Sequence, residues 1–313
     1  FVNNTTSAVV LVSVSTMLVS FFNWGLGLIF GAIMARKVAE AAVQRNFTIN
    51  YPLVGASGYI GFMVWHSGIS GSAPLKVAES GHLGSLMKGI SSAENLAALP
   101  ELIPTNETIF SWGNLLLFGI LLLVVPLVLV YLAKKSKPTP VIFEKPTEIQ
   151  ASEPEASAAI DTSKIVTILF GTLLLVAFFV QYFQQLQDFI LTPNMLNFFM
   201  FGLGIVLHGS FHNYLKALQE AIGGASGILI QFPLYFGIMG IMKDTGMILM
   251  ISEAFIIISN ETTLPLFAFF SAGLVNIFVP SGGGQWAVQG PIVVDAALQL
   301  GVPLNKMVMA LAY

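Results

Sequence analysis

The sequence predicts an all-α integral membrane protein: a multi-span helical bundle with inverted-topology repeats and broken or re-entrant helices. Three observations carry that prediction. Hydrophobic residues make up 55% of the 313 and charged ones only 9%, against about a quarter charged in an ordinary soluble domain. The apolar stretches are long and continuous, where a membrane β-barrel would show short alternating segments. Several of those stretches carry clusters of glycine, proline, serine and asparagine at their centres.

About 20 apolar residues are needed for a helix to cross the hydrocarbon layer. Stretches meeting or approaching that length cover residues 8–35, 51–75, 113–133, 165–186, 190–207, 221–242, 246–259 and 264–294, and a ninth begins near residue 304. Residues 246–259 are short enough to be half of a re-entrant hairpin. "HNYLKALQE", His212 to Glu220, has the pattern of an interfacial amphipathic helix. Residues 134–164 hold four prolines and charges of both signs, the composition of a solvated linker. The expected organisation is therefore a first membrane repeat over 1–133, a linker over 134–164 and a second membrane repeat over 165–313. The chain opens on Phe1 and stops at Tyr313 inside an apolar stretch, so the first repeat is expected to be incomplete at its N-terminus and the second at its C-terminus.

Lysine and arginine near span ends mark the cytoplasmic side. Lys134, Lys135 and Lys137 place the linker there, and counting back two crossings brings Arg36, Lys37 and Arg45 to the same side. Counting forward puts residues 295–305 outside. A net charge of −3 with no basic block argues against nucleic acid as a partner. The absence of cysteine excludes disulfides and thiol chemistry.

The two halves share landmarks. Asn23 opens "NWGLGLIFG" and is followed by Pro52 and Tyr59; Asn276 opens "NIFVPSGGGQW" and is followed by Pro303 and Tyr313. Asn to Pro spans 29 and 27 residues, and Asn to Tyr 36 and 37. An odd number of crossings between the copies makes them face opposite ways, the arrangement of secondary transporters whose sites lie between inverted repeats. The two breaks are expected to face one another across one central cavity.

"PSGGGQW" is the sharpest break, because it sits inside an uncharged run of 31 residues, 264–294. Glycine costs a helix about 1 kcal/mol and proline about 3 kcal/mol relative to alanine, and irregular backbone at membrane depth survives only inside protein or beside a wet cavity. Unwound backbone there would aim N–H groups at an anion, with Gly282, Gly283 and Gly284 allowing close approach and Gly283 holding a positive φ. Ser281 and Asn276 add neutral polar groups, Pro280 and Gln285 flank the glycines, and Trp286 supplies an apolar wall. A second break, "WHSGISGSAP", brings Trp65, Ser67, Gly68 and Ser70; Trp24, Gly25 and Gly27 surround the first. The alternative reading of each is a kinked, glycine-packed helix contact.

Arginine occurs only at positions 36 and 45, so no intramembrane guanidinium clamps a carboxylate. His66 and His208 are candidate proton relays, with interfacial or helix-contact roles as the alternative. Glu253 and Asp295 are the acids nearest the membrane. The duplicated "GASG" at 55–58 and 224–227 raises a different class, an intramembrane serine protease of rhomboid type, which needs a serine within hydrogen-bond reach of a base. Small-residue helix packing accounts for both copies equally.

"NIFVPSGGGQWAVQGPI", "NWGLGLIFGAIMARKV", "YIGFMVWHSGISGSAPL" and "GGASGILIQFPLYFGIMG" closely resemble the bacterial short-chain fatty acid transporter family of the ion transporter superfamily, over most of the chain outside the linker. The resemblance implies a multi-pass inner-membrane carrier of small monocarboxylates such as acetoacetate or butyrate, with no cofactor and no metal. More distant members imply a co-transported Na+ or H+ and an elevator-type movement. It further implies helices before Phe1 and an acidic, Trp- and Pro-rich segment after Tyr313. On this reading Ser281 and Gly282–Gly284 take the carboxylate and Trp24 and Trp286 the acyl chain. Asn23 and Asn276 serve a cation or hold the broken helices. The lipid bilayer is the surrounding partner, a homo-oligomer is compatible with the composition, and an anion channel is the competing mode of transport.

Overall fold

The computed structural model describes residues 2–88, 93–138, 159–278 and 281–313. Among them every regular element is helical. They form two compact units, one from Phe1–Lys145 with Ser252–Tyr313 and one from Pro146–Ile251.

In the first unit the stretch expected as one crossing over 8–35 is two helices, α1 (Thr5–Phe22) and α2 (Trp24–Gln44). Asn23 between them has extended backbone, φ −151° and ψ 129°, and its side-chain oxygen accepts from the Leu26 N–H at 3.0 Å. Asparagine is among the strongest N-caps because that oxygen satisfies a first-turn N–H that has no helical partner. The chain then doubles back. A Cβ on Gly27 would stand 2.6 Å from Ser20 Cα, and one on Gly31 3.0 Å from the Thr16 methyl. One partner advances four residues as the other retreats four, the register of an antiparallel hairpin. Hydropathy sees one long apolar run and cannot register that it folds back on itself.

α3 (Tyr51–Ile60), started by Asn50 and Pro52 and extended by a 3-10 turn Gly61–Val64, packs on both arms of this hairpin. An irregular stretch, 65–71, leads to α4 (Ser72–Val77), α5 (His82–Met87) and α6 (Ala93–Ala97). The candidate span over 51–75 is thus also broken. α7 (Trp112–Lys135) lies against α1 and leaves most of its leucines and valines exposed, as a lipid-facing helix does.

The second unit holds α8 (Ala159–Thr162), α9 (Lys164–Gln181), α10 (Phe183–Gln187), α11 (Pro193–His208) and the whole of α12 (Phe211–Asp244). α9 and α11 run antiparallel, with Gly171 against Val206 and Gly202 against Leu174. Gly209, at φ +70°, turns α11 into α12 through 119°. His212–Glu220 is the opening of α12, continuous with the apolar residues after it, and not a separate interfacial helix. α13 (Met247–Ile258) follows.

The first unit, which resumes at Ser252 within α13, continues with α14 (Leu264–Phe278), α15 (Gly282–Leu300) and α16 (Leu304–Ala312). The run 264–294 is therefore a second hairpin. Gln285 Nε2 donates to the Ala272 carbonyl at 2.8 Å and Gln289 Nε2 to Ser271 Oγ at 2.8 Å, so the partner number falls as the α15 number rises. α15 continues to Leu300, past the expected span end, and carries Asp295 inside it. α16 packs on both arms, as α3 does on the first hairpin. Trp286, Val293 and Val294 of α15 join Ala73 and Val77 of α4 and Leu311 of α16 in one apolar core.

Among the described residues three helices, α1, α7 and α9, are long and apolar enough to cross a membrane, or four crossings if the bent α11–α12 pair is one span. The protein is an all-α membrane protein with broken helices. Of the candidate spans, 8–35, 51–75 and 264–294 are interrupted by caps and turns.

Candidate functional site

Both hairpin apices and the irregular stretch between α3 and α4 meet in the first unit. At the first apex the Trp24 N–H donates to Ser70 Oγ at 2.8 Å, and the Ile69 N–H donates to the Phe21 carbonyl at 2.7 Å. Gly68 lies against the Phe21 backbone so closely that no Cβ fits there. Gly25 follows within the first turn of α2, and Gly27 lies directly against Ser20 of the other arm. The indoles of Trp24 and Trp65 lie 6.2 Å apart, and Trp65 stacks on Phe62 and on His66. Trp24 is 40% exposed.

At the second apex a Cβ on Gly282 would stand 2.7 Å from Trp65 Cη2 and 2.8 Å from His66 Nε2. The second apex therefore touches the irregular stretch 65–71 at Trp65 and His66, the same stretch that the first apex meets through Trp24 and Phe21. Gly283 faces Ser72, whose Oγ would be 3.7 Å from an added Cβ, and is exposed. The glycines themselves are not unwound. Ser281 caps α15, its Oγ accepting from the Gly284 N–H at 3.2 Å, and Gly282–Gly284 form the first helical turn. Positive φ among glycines occurs at 81, 209, 246 and 301, so the left-handed conformation expected of Gly283 is replaced by a helical one. One serine cap supplies what the unwound reading wanted from three glycines, because it lets the helix start where the chain turns. Pro280 lies outside the described residues, and Asn276 is exposed in the last turn of α14.

Gln285 and Trp286, unlike Gly283, are buried in protein. The Gln285 amide donates to Ala272 O and to Gln289 Oε1 (3.1 Å). Trp286 is 2% exposed, and its Nε1–H donates to His82 Nε2 at 2.9 Å. Sequence reasoning missed His82, since nothing in a lone histidine on a short helix announces a partner 204 residues away. It missed Asn114 as well. That buried amide donates to the carbonyls of Ser67 (3.0 Å) and Ile109 (2.7 Å) and accepts from the Tyr313 hydroxyl (2.5 Å). It fixes the stretch 65–71 to α7 and α16 with every bond of a buried polar group satisfied.

The other candidates have local partners. His66 is buried and accepts from the Ala73 N–H at 3.4 Å. His208 Nδ1 donates to the Gly204 carbonyl at 2.7 Å, within its own helix. Asp295 accepts from Gln299 at 2.8 Å. The Glu253 side chain and the second "GASG" lie outside the described side chains, while Ser57 of the first donates to the Leu53 carbonyl at 2.7 Å. Ser57, its hydroxyl spent on its own helix, is not set up as a nucleophile.

Comparison with known proteins agrees with the resemblance in the motifs. The family model for short chain fatty acid transporters matches residues 1–313. A protein of Escherichia coli (strain K12) is 37% identical over 311 residues, covering 95% of this chain and 67% of its own length. One of Haemophilus influenzae (strain ATCC 51907 / DSM 11121 / KW20 / Rd) is 36% identical over 313 residues, covering 97% and 67%. Both are named, provisionally, as short-chain fatty acid transporters. No solved structure matches the chain. With its glycine-rich breaks lying inside a match that runs from end to end, the chain belongs to the short-chain fatty acid transporter family.

Proposed function

We propose that the protein is a secondary active transporter that carries small monocarboxylates such as butyrate and acetoacetate across the bacterial inner membrane, coupled to Na+ or H+. The carrying observation is that both hairpin apices abut the stretch 65–71, the first through Trp24 against Ser70 and Trp65 and the second through Gly282 against Trp65 and His66. Convergent helix ends are a means of holding a carboxylate without a buried guanidinium, since first-turn N–H groups carry the positive end of the helix dipole. The proposed donors are the first-turn N–H groups of Gly282 and Gly283. Trp24 is the apolar wall for the short acyl chain, with Ser67, Gly68 and Ser70 as the facing surface. Asn23 holds the break, its side-chain oxygen being used by Leu26. The two hairpins, each followed by a short helix packed on both arms, support an inverted repeat with the linker on the cytoplasmic side.

The test is uptake of labelled butyrate into proteoliposomes of the full-length protein under an imposed proton gradient and then a sodium gradient. Saturable uptake driven by one of them is expected. Non-saturable flux under both would favour the anion channel, and none under either would remove the substrate assignment. Gly282→Ala, which crowds Trp65 and His66, is expected to weaken butyrate binding about tenfold, or roughly 1.4 kcal/mol, while Gly283→Ala, whose Cβ makes only ordinary contact with Ser72, is expected to bind like wild type. Equal affinities for the two variants would move the site elsewhere.

A further inference from the structure

We propose that His82 is a positioning residue for this site: its neutral imidazole holds Trp286, and with it the first turn of α15, and lets go when the ring is protonated. The proposal rests on the reading of the apices as the substrate site. An indole N–H is a donor with no acceptor capacity, so its partner must present a lone pair. Here that partner is His82 Nε2 at 2.9 Å, with the rings stacked at 6.3 Å. The bond therefore requires the tautomer with its proton on Nδ1; imidazolium has no lone pair to offer.

The indole has nowhere else to turn. It is 2% exposed in an apolar core, and a Cβ at Gly290 would stand 3.0 Å from its ring, so glycine at 290 makes room for it. Trp286 lies one helical turn after Gly282, on the same side of α15, and Gly282 is the residue in contact with Trp65 and His66. A shift of the indole is thus transmitted along one rigid turn to the proposed carboxylate donors.

The groups packed against α5 set the electrostatics. From α4 and the turn after it come Lys76 and Glu79, paired at 3.0 Å; Glu101 is engaged by the Ser80 hydroxyl. α15 carries no ionisable side chain before Asp295. Burial first, and the Lys76 charge second, hold the His82 pKa below the usual imidazole range, with Glu79 opposing. A ring whose bonded-state pKa is depressed binds fewer protons when bonded. The contact is therefore fully present above the ordinary imidazole value, about 6.5, and is lost as pH falls through the lower, bonded value.

The experiment uses full-length protein labelled with 15N-indole, with the Trp286 resonance assigned by Trp286→Phe, and equilibrium butyrate binding without any gradient. In wild type the Trp286 resonance is expected to shift with one protonation below about pH 6.5, and butyrate affinity to fall over the same range by up to about tenfold per pH unit. His82→Gln keeps an acceptor oxygen without the titration, so its resonance and affinity are expected to stay flat with pH and, at pH 8, close to wild type. His82→Phe removes the acceptor and is expected to bind butyrate about tenfold worse at every pH, with its melting temperature recorded on the same samples. A wild-type indole resonance indifferent to pH, or His82→Phe binding as wild type does, would overturn the proposal. An indole that titrates as described in a protein that binds no butyrate at any pH upholds the His82–Trp286 coupling and removes the substrate reading instead.

Discussion

The hairpin of α1 and α2 closes through small residues, with the Gly27 and Gly31 backbones laid on Ser20 and Thr16, and Gly58 of α3 packed on Gly31, whereas that of α14 and α15 closes through the amides of Gln285 and Gln289. The first leaves the Thr16 and Ser20 hydroxyls buried without a hydrogen-bond partner. The second satisfies its buried amides across the arms. Between helices in lipid there is no hydrophobic drive to press them together, so close packing and interhelical hydrogen bonds are the two means left. Each hairpin relies chiefly on one of them. The difference teaches that two helical hairpins of like shape can be held by different forces.

Four measurements in detergent break or sharpen that contrast, each read as a change in melting temperature. The largest effect is expected from Gly31→Val, because its Cβ would meet the Gly58 carbonyl oxygen at 2.5 Å. Backbone cannot swing aside as a side chain does, so a loss of about 3 kcal/mol is expected. A variant that melts with wild type would mean that α2 and α3 are not in close backbone contact there. Next comes Gln285→Leu, which removes the bond to Ala272 and strands one side of Gln289, for about 2 kcal/mol. Combined with Gln289→Leu the losses should fall short of additive, since the two amides share a bond; strict additivity would say that they act alone.

The apex caps come third. Asn23→Ala and Ser281→Ala each delete one side-chain acceptor at a helix start and are expected to cost about 1 kcal/mol apiece. Similar costs would show that the turns are alike even where the seams differ. A negligible cost at one of them would make that cap incidental. The smallest effect carries the opposite sign. Ser20→Ala removes an unsatisfied buried hydroxyl and is expected to leave stability unchanged or raise it by up to about 1 kcal/mol. Clear destabilisation would reveal a partner for that hydroxyl and weaken the contrast with the glutamine seam.

The class of the molecule was legible because it is a property of composition: so few charges over so many apolar residues leave one solvent in which the chain can fold. The places where helices break were legible too, because asparagine, serine and glycine announce caps and turns locally, and Asn23 and Ser281 act as such. Their family likeness followed from the same residues. Tertiary structure alone decided that two long apolar runs are hairpins, since hydropathy is blind to whether a chain passes onward or doubles back. It also decided that Gly282 rather than Gly283 is the crowded glycine, that Trp286 is committed to His82, and that Asn114 anchors the stretch from Trp65 to Gly71. Those are matters of which distant groups arrive together. A hydrogen bond across 204 residues leaves no period or spacing in the sequence, because its partners are chosen by the packing of the helices that carry them.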